Sequence, residues 1–128
     1  MVLIGNSSAP ELCGSAVTSD PLRGREVTQL VRASDWIMDC LARVGVRHVF
    51  MLAGGGAMHL NDAAGNHPSL TTVCTLHEQA AAIAAETYAK TSSRPALCLV
   101  TSGPGSTNAI TGVAGAWLDS TPMIIISG

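Results

Sequence analysis

The strongest constraint on this chain is an alternation. Short apolar runs, each closed by glycine or a small polar turn, are followed by stretches with the composition of helices. Residues 47–52 read as a strand, Gly54, Gly55 and Gly56 as a turn, and 57–64 as a helix closed by Gly65 and Pro68. The pattern repeats with a strand at 71–76 and an alanine-rich helix at 77–90, on which Ala80, Ile83, Ala84 and Thr87 share a face. It repeats again with a strand at 96–101, the turn 102–105 and a helix over 106–117, before a fourth strand at 123–127. Ahead of these, Thr28 is placed to cap a helix carrying Ala33, Trp36, Ile37, Cys40, Leu41 and Val44, ended by Gly45. Near-continuous apolar strands separated by helices imply an α/β fold, a parallel sheet with helices on both faces and right-handed crossovers. The 128 residues suffice for one core; residues 1–25 lack periodicity and read as a loose N-terminal extension, leaving 26–128 as the folded part.

Composition narrows the partners. Charged residues make up 12% of the chain, against about 25% in average domains, and hydrophobic ones 47%, so the chain is a packed one. A formal charge of −2 with scattered Lys and Arg argues against nucleic acid and against a polybasic membrane patch. No apolar run approaches a membrane span and the start does not read as a secretion signal, so the expected location is cytoplasmic. Cys13, Cys40, Cys74 and Cys98 form no C-x-x-C pair, and the apolar settings of Cys74 and Cys98 predict buried free thiols.

In open parallel sheets ligands bind beyond the carboxyl ends of the strands, which here means Gly54 to Gly56, His77 with Glu78, and Gly103 to Asn108. Familiar motifs fail there. Gly54-Gly55-Gly56 lacks the last glycine of G-x-G-x-x-G, the single lysine, Lys90, excludes a P-loop, and His77-Glu78 meets Ala81 where H-E-x-x-H needs histidine. The four histidines show no other metal spacing, so no metal-binding residue is expected in this chain. Glu78 stands out as an acid between the apolar run ending at Leu76 and an alanine wall over 79–85. Burial would raise its pKa and a place in the first helical turn would lower it; the sequence does not decide between them. Plainer readings stand beside these: Glu78 as a helix cap, His77 packed at a strand end, the glycines as a tight turn, and Pro104-Gly105 as an ordinary helix start.

The segments HEQAAAIAAETYAK and LVTSGPGSTNAITGVAGAWLDSTPMIIISG together resemble the N-terminal, pyrimidine-binding domain of thiamine-diphosphate-dependent enzymes, in particular the acetolactate synthase branch. The stretch from Thr28 through GVRHVFMLAGGGAMHL is similar to the family's first helix, strand and glycine loop, so the resemblance covers about 100 residues. Met51, Ala53 and Thr87 depart from the glycine, proline and glycine frequent in the family, which bears on the substrate branch more than on the cofactor.

The resemblance implies that Glu78 is catalytic: the matching glutamate hydrogen-bonds N1′ of the aminopyrimidine, favouring the imino tautomer that deprotonates the thiazolium C2. It implies further that Thr101, Pro104 and Asn108 line the aminopyrimidine pocket, and that Gly54 and Gly55 let backbone approach cofactor or substrate. His77 is expected to flank the glutamate, in a catalytic or a packing role. By the same resemblance the activity is decarboxylation of a 2-oxo acid with transfer of the acyl carbanion equivalent to an acceptor. The cofactor is thiamine diphosphate with Mg2+, the metal being held by a diphosphate-binding domain of a partner subunit or a missing segment; FAD is a further possibility that these residues do not report. A homodimer or homotetramer is expected for the full protein, and the pyrimidine-binding domain is expected to continue past Gly128, leaving this chain alone inactive. Alternatives are a decarboxylase of another 2-oxo acid, one subunit of a split enzyme, and a non-catalytic module pairing through its sheet edge.

Overall fold

A computed structural model describes residues 2–3, 17–19, 26–28 and 30–128 of the chain. Its elements are β1 (Val2–Leu3), β2 (Val17–Ser19), β3 (Glu26–Thr28), α1 (Ala33–Val44), β4 (His48–Met51), a 3₁₀ turn (Gly55–Ala57), α2 (Met58–Asn66), β5 (Thr71–Cys74), α3 (Glu78–Ser92), β6 (Ala96–Val100), α4 (Pro104–Asn108), α5 (Ile110–Leu118) and β7 (Met123–Ser127). The main sheet has the order β1-β7-β6-β4-β5. Its four longer strands, β7, β6, β4 and β5, are mutually parallel, and β1 adds an antiparallel edge with Val2 opposite Ile125. The parallel sheet expected from the apolar runs is therefore present. Apart from β1 and β2, the span expected to be a loose extension lies outside the described residues, as does Cys13. Among the described residues the β2 strand pairs with β3, antiparallel, with Val17 opposite Thr28.

The sheet's alternating side chains build two cores. Val49 and Met51 of β4 and Leu97 and Leu99 of β6 point to the face covered by α1 and α2, where Met38 and Leu41 pack on them. Phe50, Cys98, Val100 and Met123 point to the opposite face, covered by Ala81, Ala82, Ala85 and Ala89 of α3 and Ala116 of α5. Every residue of β6 is buried, as a central parallel strand covered on both sides must be.

Several local expectations are corrected. Thr28 lies in β3 and does not cap α1; the cap position is Arg32, whose guanidinium binds Asp35 in the first turn at 2.8 Å. The buried stripe of α1 is Ser34, Met38 and Leu41, with Trp36 and Val44 roughly half exposed. On α3 the buried stripe is Ala81, Ala82, Ala85, Glu86 and Ala89, whereas Ala80 and Ile83 face outward. The helix expected over 106–117 is two helices that break at Ala109, whose N–H bonds Ser106 O three residues back, the tighter 3₁₀ pattern. Cys98 is buried as expected, but Cys74 is exposed on the edge strand β5 and Cys40 half-buried. Among the described residues no helix is long and apolar enough to cross a membrane.

Candidate functional site

From β4 the chain turns through α2 to β5 on one side, then returns through α3 to β6 on the other side of β4. The strand order thus reverses between β4 and β6, and the loops leaving their carboxyl ends flank the crevice that such a reversal opens. Those loops carry Gly54 to Gly56 and Ser102 to Gly105, and the segment leaving β5 carries His77 and Glu78.

Thr101 joins the first two loops. Its Oγ1 accepts a hydrogen bond from the N–H of Gly56 at 3.1 Å and donates to Gly128 O at 3.4 Å, while Ser102 N–H donates to the same carbonyl at 2.6 Å. A Cβ on Gly54 would fall 2.5 Å from Thr101 Cβ, so no side chain fits where these loops cross. Gly103 adopts φ +71°, a conformation that L side chains rarely take, and so turns the chain into Pro104 at the start of α4. Ser106 Oγ donates to Thr101 O at 3.0 Å and also bonds Ser127 Oγ, fixing α4 to the ends of β6 and β7.

Glu78 begins α3, and α4 faces it. Asn108 Nδ2 donates to Glu78 Oε2 at 3.0 Å, and a Cβ on Gly105 would lie 3.3 Å from Oε1. Gly105 and Asn108 are three residues apart, the spacing that puts two positions on one helix face. The Asn108 amide, followed by the backbone N–H of Glu78 itself, holds this carboxyl below its ordinary value; desolvation opposes them less strongly, and the nearby His77 adds the smallest lowering. Glu78 is half-buried. The dry, alanine-lined setting expected for it is not what the fold provides, because Ala81, Ala82 and Ala85 point into the core under the sheet and not into the crevice. Capping of α3 falls to His77, whose Nδ1 accepts the N–H of Gln79 at 3.1 Å on an exposed surface, so the reading of Glu78 as the cap and of His77 as a packed residue is corrected.

The structure thus brings Thr101 against Gly54 and Asn108 against Glu78, with Pro104 between them at the head of α4. Gly55 sits at the open rim, where a Cβ would meet nothing within 4 Å. Within the span 103–108 the sequence pattern assigned no separate part to Gly105 or Ser106, and it missed Asn61 altogether. Asn61 Nδ2 donates to Gly54 O at 3.3 Å while its Oδ1 is buried without a protein partner. The i, i+3 relation of Gly105 to Asn108 was the available signal for the first; nothing local to Asn61 announces its contact. Among the described residues no group of three or more His, Cys, Asp or Glu could hold a metal ion. A cavity of about 180 Å³ lies elsewhere, lined by α1 and α2, where Asp35 is held by Arg32 and Asp39 by His67 at 3.1 Å.

A family model described as thiamine pyrophosphate enzyme, N-terminal TPP binding domain, matches residues 31–128. The chain belongs to this family. Within it, the chain is 40% identical over 114 residues to acetolactate synthase 2, chloroplastic, of Zea mays, covering 89% of this chain and 18% of that protein. It is 41% identical over 97 residues to the chloroplastic acetolactate synthase of Arabidopsis thaliana, covering 76% of this chain and 14% of the relative. The acetolactate synthase large subunit of Buchnera aphidicola is 38% identical over 100 residues, covering 78% of this chain and 18% of the relative. The chain therefore spans less than a fifth of the length of these relatives. The thiamine-pyrophosphate assignment fits the residues of the crevice. An ionised carboxylate with one oxygen anchored and the other beside a glycine offers an acceptor, and the open backbone at Gly55, where a Cβ would meet nothing within 4 Å, leaves room for a flat ring.

Proposed function

We propose that this chain is the pyrimidine-binding part of an acetolactate synthase-like enzyme that decarboxylates a 2-oxo acid and passes the acyl unit to a second carbonyl compound. The observation that carries the reading is the Glu78 carboxylate, anchored by Asn108 and aimed at a glycine-bordered crevice at the reversal of strand order. When bound, thiamine diphosphate supplies a thiazolium carbon able to add to a keto group and to accept the electron pair left by loss of carbon dioxide. The part left to this chain is binding and proton control. Glu78 shares a proton with a ring nitrogen of the aminopyrimidine through Oε1, the oxygen that Asn108 leaves unengaged. Pro104 and Thr101 shape the wall, and Gly54 and Gly55 allow close approach of backbone. The diphosphate and Mg2+ are assigned to a separate domain, in a partner subunit or elsewhere in a longer chain, so that these 128 residues alone do not catalyse.

Exchange of the thiazolium C2 proton in the protein carrying this segment tests the reading. Glu78→Gln keeps the shape and removes the charge, and should slow exchange by about 100-fold or more; exchange at the parent rate would overturn the role. Calorimetric titration of the 128-residue chain with thiamine diphosphate and Mg2+ tests the division of labour. Weak, metal-independent binding is expected, and tight binding that requires Mg2+ would overturn it.

A further inference from the structure

The hydrogen bond from Asn108 to Glu78 crosses 30 residues of sequence, from the last residue of α4 to the first residue of α3. Its geometry is held from both sides. The α4 end is fixed by Pro104 at the helix start, by Ser106 Oγ donating to Thr101 O at 3.0 Å, and by Thr107 Oγ1 donating to Pro104 O at 3.0 Å. The α-helical bonding is interrupted immediately after Asn108, at Ala109, which ends α4 and starts α5. The α3 end is fixed by His77, which caps the helix and whose carbonyl accepts from Thr75 Oγ1 at 2.9 Å. Asn108 thus meets a residue whose backbone is set independently of it, and its amide can engage Oε2 without disturbing either helix.

We infer that Asn108 is a positioning residue: its amide selects the Glu78 rotamer, reserves Oε2 and keeps Oε1 turned to the crevice. This rests on the role proposed for Glu78. The amide N–H is a donor only, so it favours the charged carboxylate over the neutral acid. The ionisable neighbour that also acts on Glu78 is His77, on the same segment; α4 presents no acid or base to it. A carboxylate that loses the amide should take up a proton more readily, and the reaction should fail at a higher pH than in the parent.

The test uses the protein carrying this segment, with Asn108→Leu and Asn108→Asp beside the Glu78→Gln control, and reads C2 proton exchange and kcat against pH. Asn108→Leu should lower the rate about tenfold, as loss of a hydrogen bond to a charged group does, and should move the acid limb of the profile to higher pH. Asn108→Asp, nearly isosteric but bringing a second negative charge, should move that limb further than Asn108→Leu. Melting temperatures should stay near the parent value, since Asn108 is exposed. An unmoved acid limb in both variants, with Glu78→Gln inactive, overturns the inference and leaves the role of Glu78 standing. An active Glu78→Gln overturns the role of Glu78, and the inference with it. Equal shifts in Asn108→Leu and Asn108→Asp, accompanied by lower melting temperatures, would mark Asn108 as merely structural.

Discussion

The two faces of the sheet are filled by opposite means. Under α1 and α2 the space is taken up by long side chains, with Met38, Val49, Leu97 and Leu99 fully buried. Under α3 and α5 the larger side chains come from the strands, Phe50, Val100 and Met123, while the helices contribute small residues and come close to each other. Alanines line the inner side of α3, and Gly112 of α5 lies against Ala82 so tightly that a Cβ there would sit 2.5 Å from Ala82 Cβ and 2.8 Å from its carbonyl carbon. Gly115 likewise lies beside the Glu86 carboxylate. The difference teaches where each face is vulnerable: the first to loss of volume, the second to gain of it. It also explains which face carries the site. Asn108, at the junction of α4 with α5, reaches Glu78 where Gly112 of α5 packs directly on Ala82 of α3 and draws the two helices together.

The largest effect that tests this contrast is Leu97→Ala, which should cost about 3 kcal/mol or more of unfolding free energy by emptying the first face. Denaturant titration measures it, and a loss under about 1 kcal/mol would break the description of that face as volume-filled. Gly112→Ala should cost about 2 kcal/mol, because backbone of α3 and not a flexible side chain stands in the way of the new methyl. Neutral or improved stability would break the description of the second face. The smallest effect leaves stability untouched and sharpens the contrast between the packed second face and the sheet edge. Burial pushes the Cys98 thiol up to about 12, whereas Cys74 is exposed on β5. A thiol-directed reagent at pH 8 should therefore label Cys74 in the native protein and reach Cys98 only after denaturant is added, as peptide mapping would report. The sign follows from the chemistry: a thiol that ionises only near pH 12 presents almost no thiolate at pH 8, and folding becomes less favourable as pH rises above the ordinary thiol value of 9.0 toward 12.

The parallel strands were legible because a strand covered on both faces must be apolar at every position, as 96–100 and 123–126 are. The helices were legible as helices, yet their buried sides were not. In α3 alanine occupies both inward and outward positions, so Ile83 drew the expected stripe toward solvent and away from Ala81, Ala82 and Ala85. The same happened in α1, where Trp36 suggested a core position and Met38 holds it. The site was legible in its parts, namely the glycine turns and an acid after a strand. The state of Glu78 was not, because it depends on an amide 30 residues away that only the crossover through β6 brings near. Close backbone crossings such as Gly54 on Thr101 are likewise set by strand spacing and leave no mark beyond the glycine itself.

The far end of α3 gives its near end a mechanical meaning. Lys90 reaches Glu86 on its own helix at 2.7 Å and Asp119, just beyond α5, at 2.5 Å. A helix of 15 residues is about 22 Å long at roughly 1.5 Å per residue, so α3 is a beam clamped to the α4–α5 unit at both tips: by an ion pair at one and by the Asn108 amide at the other. The two clamps yield to different agents. Added salt slackens the exposed Lys90–Asp119 pair, while acid releases Glu78, so either tip can be loosened alone while the packing of Ala82 on Gly112 still holds the middle of the helix.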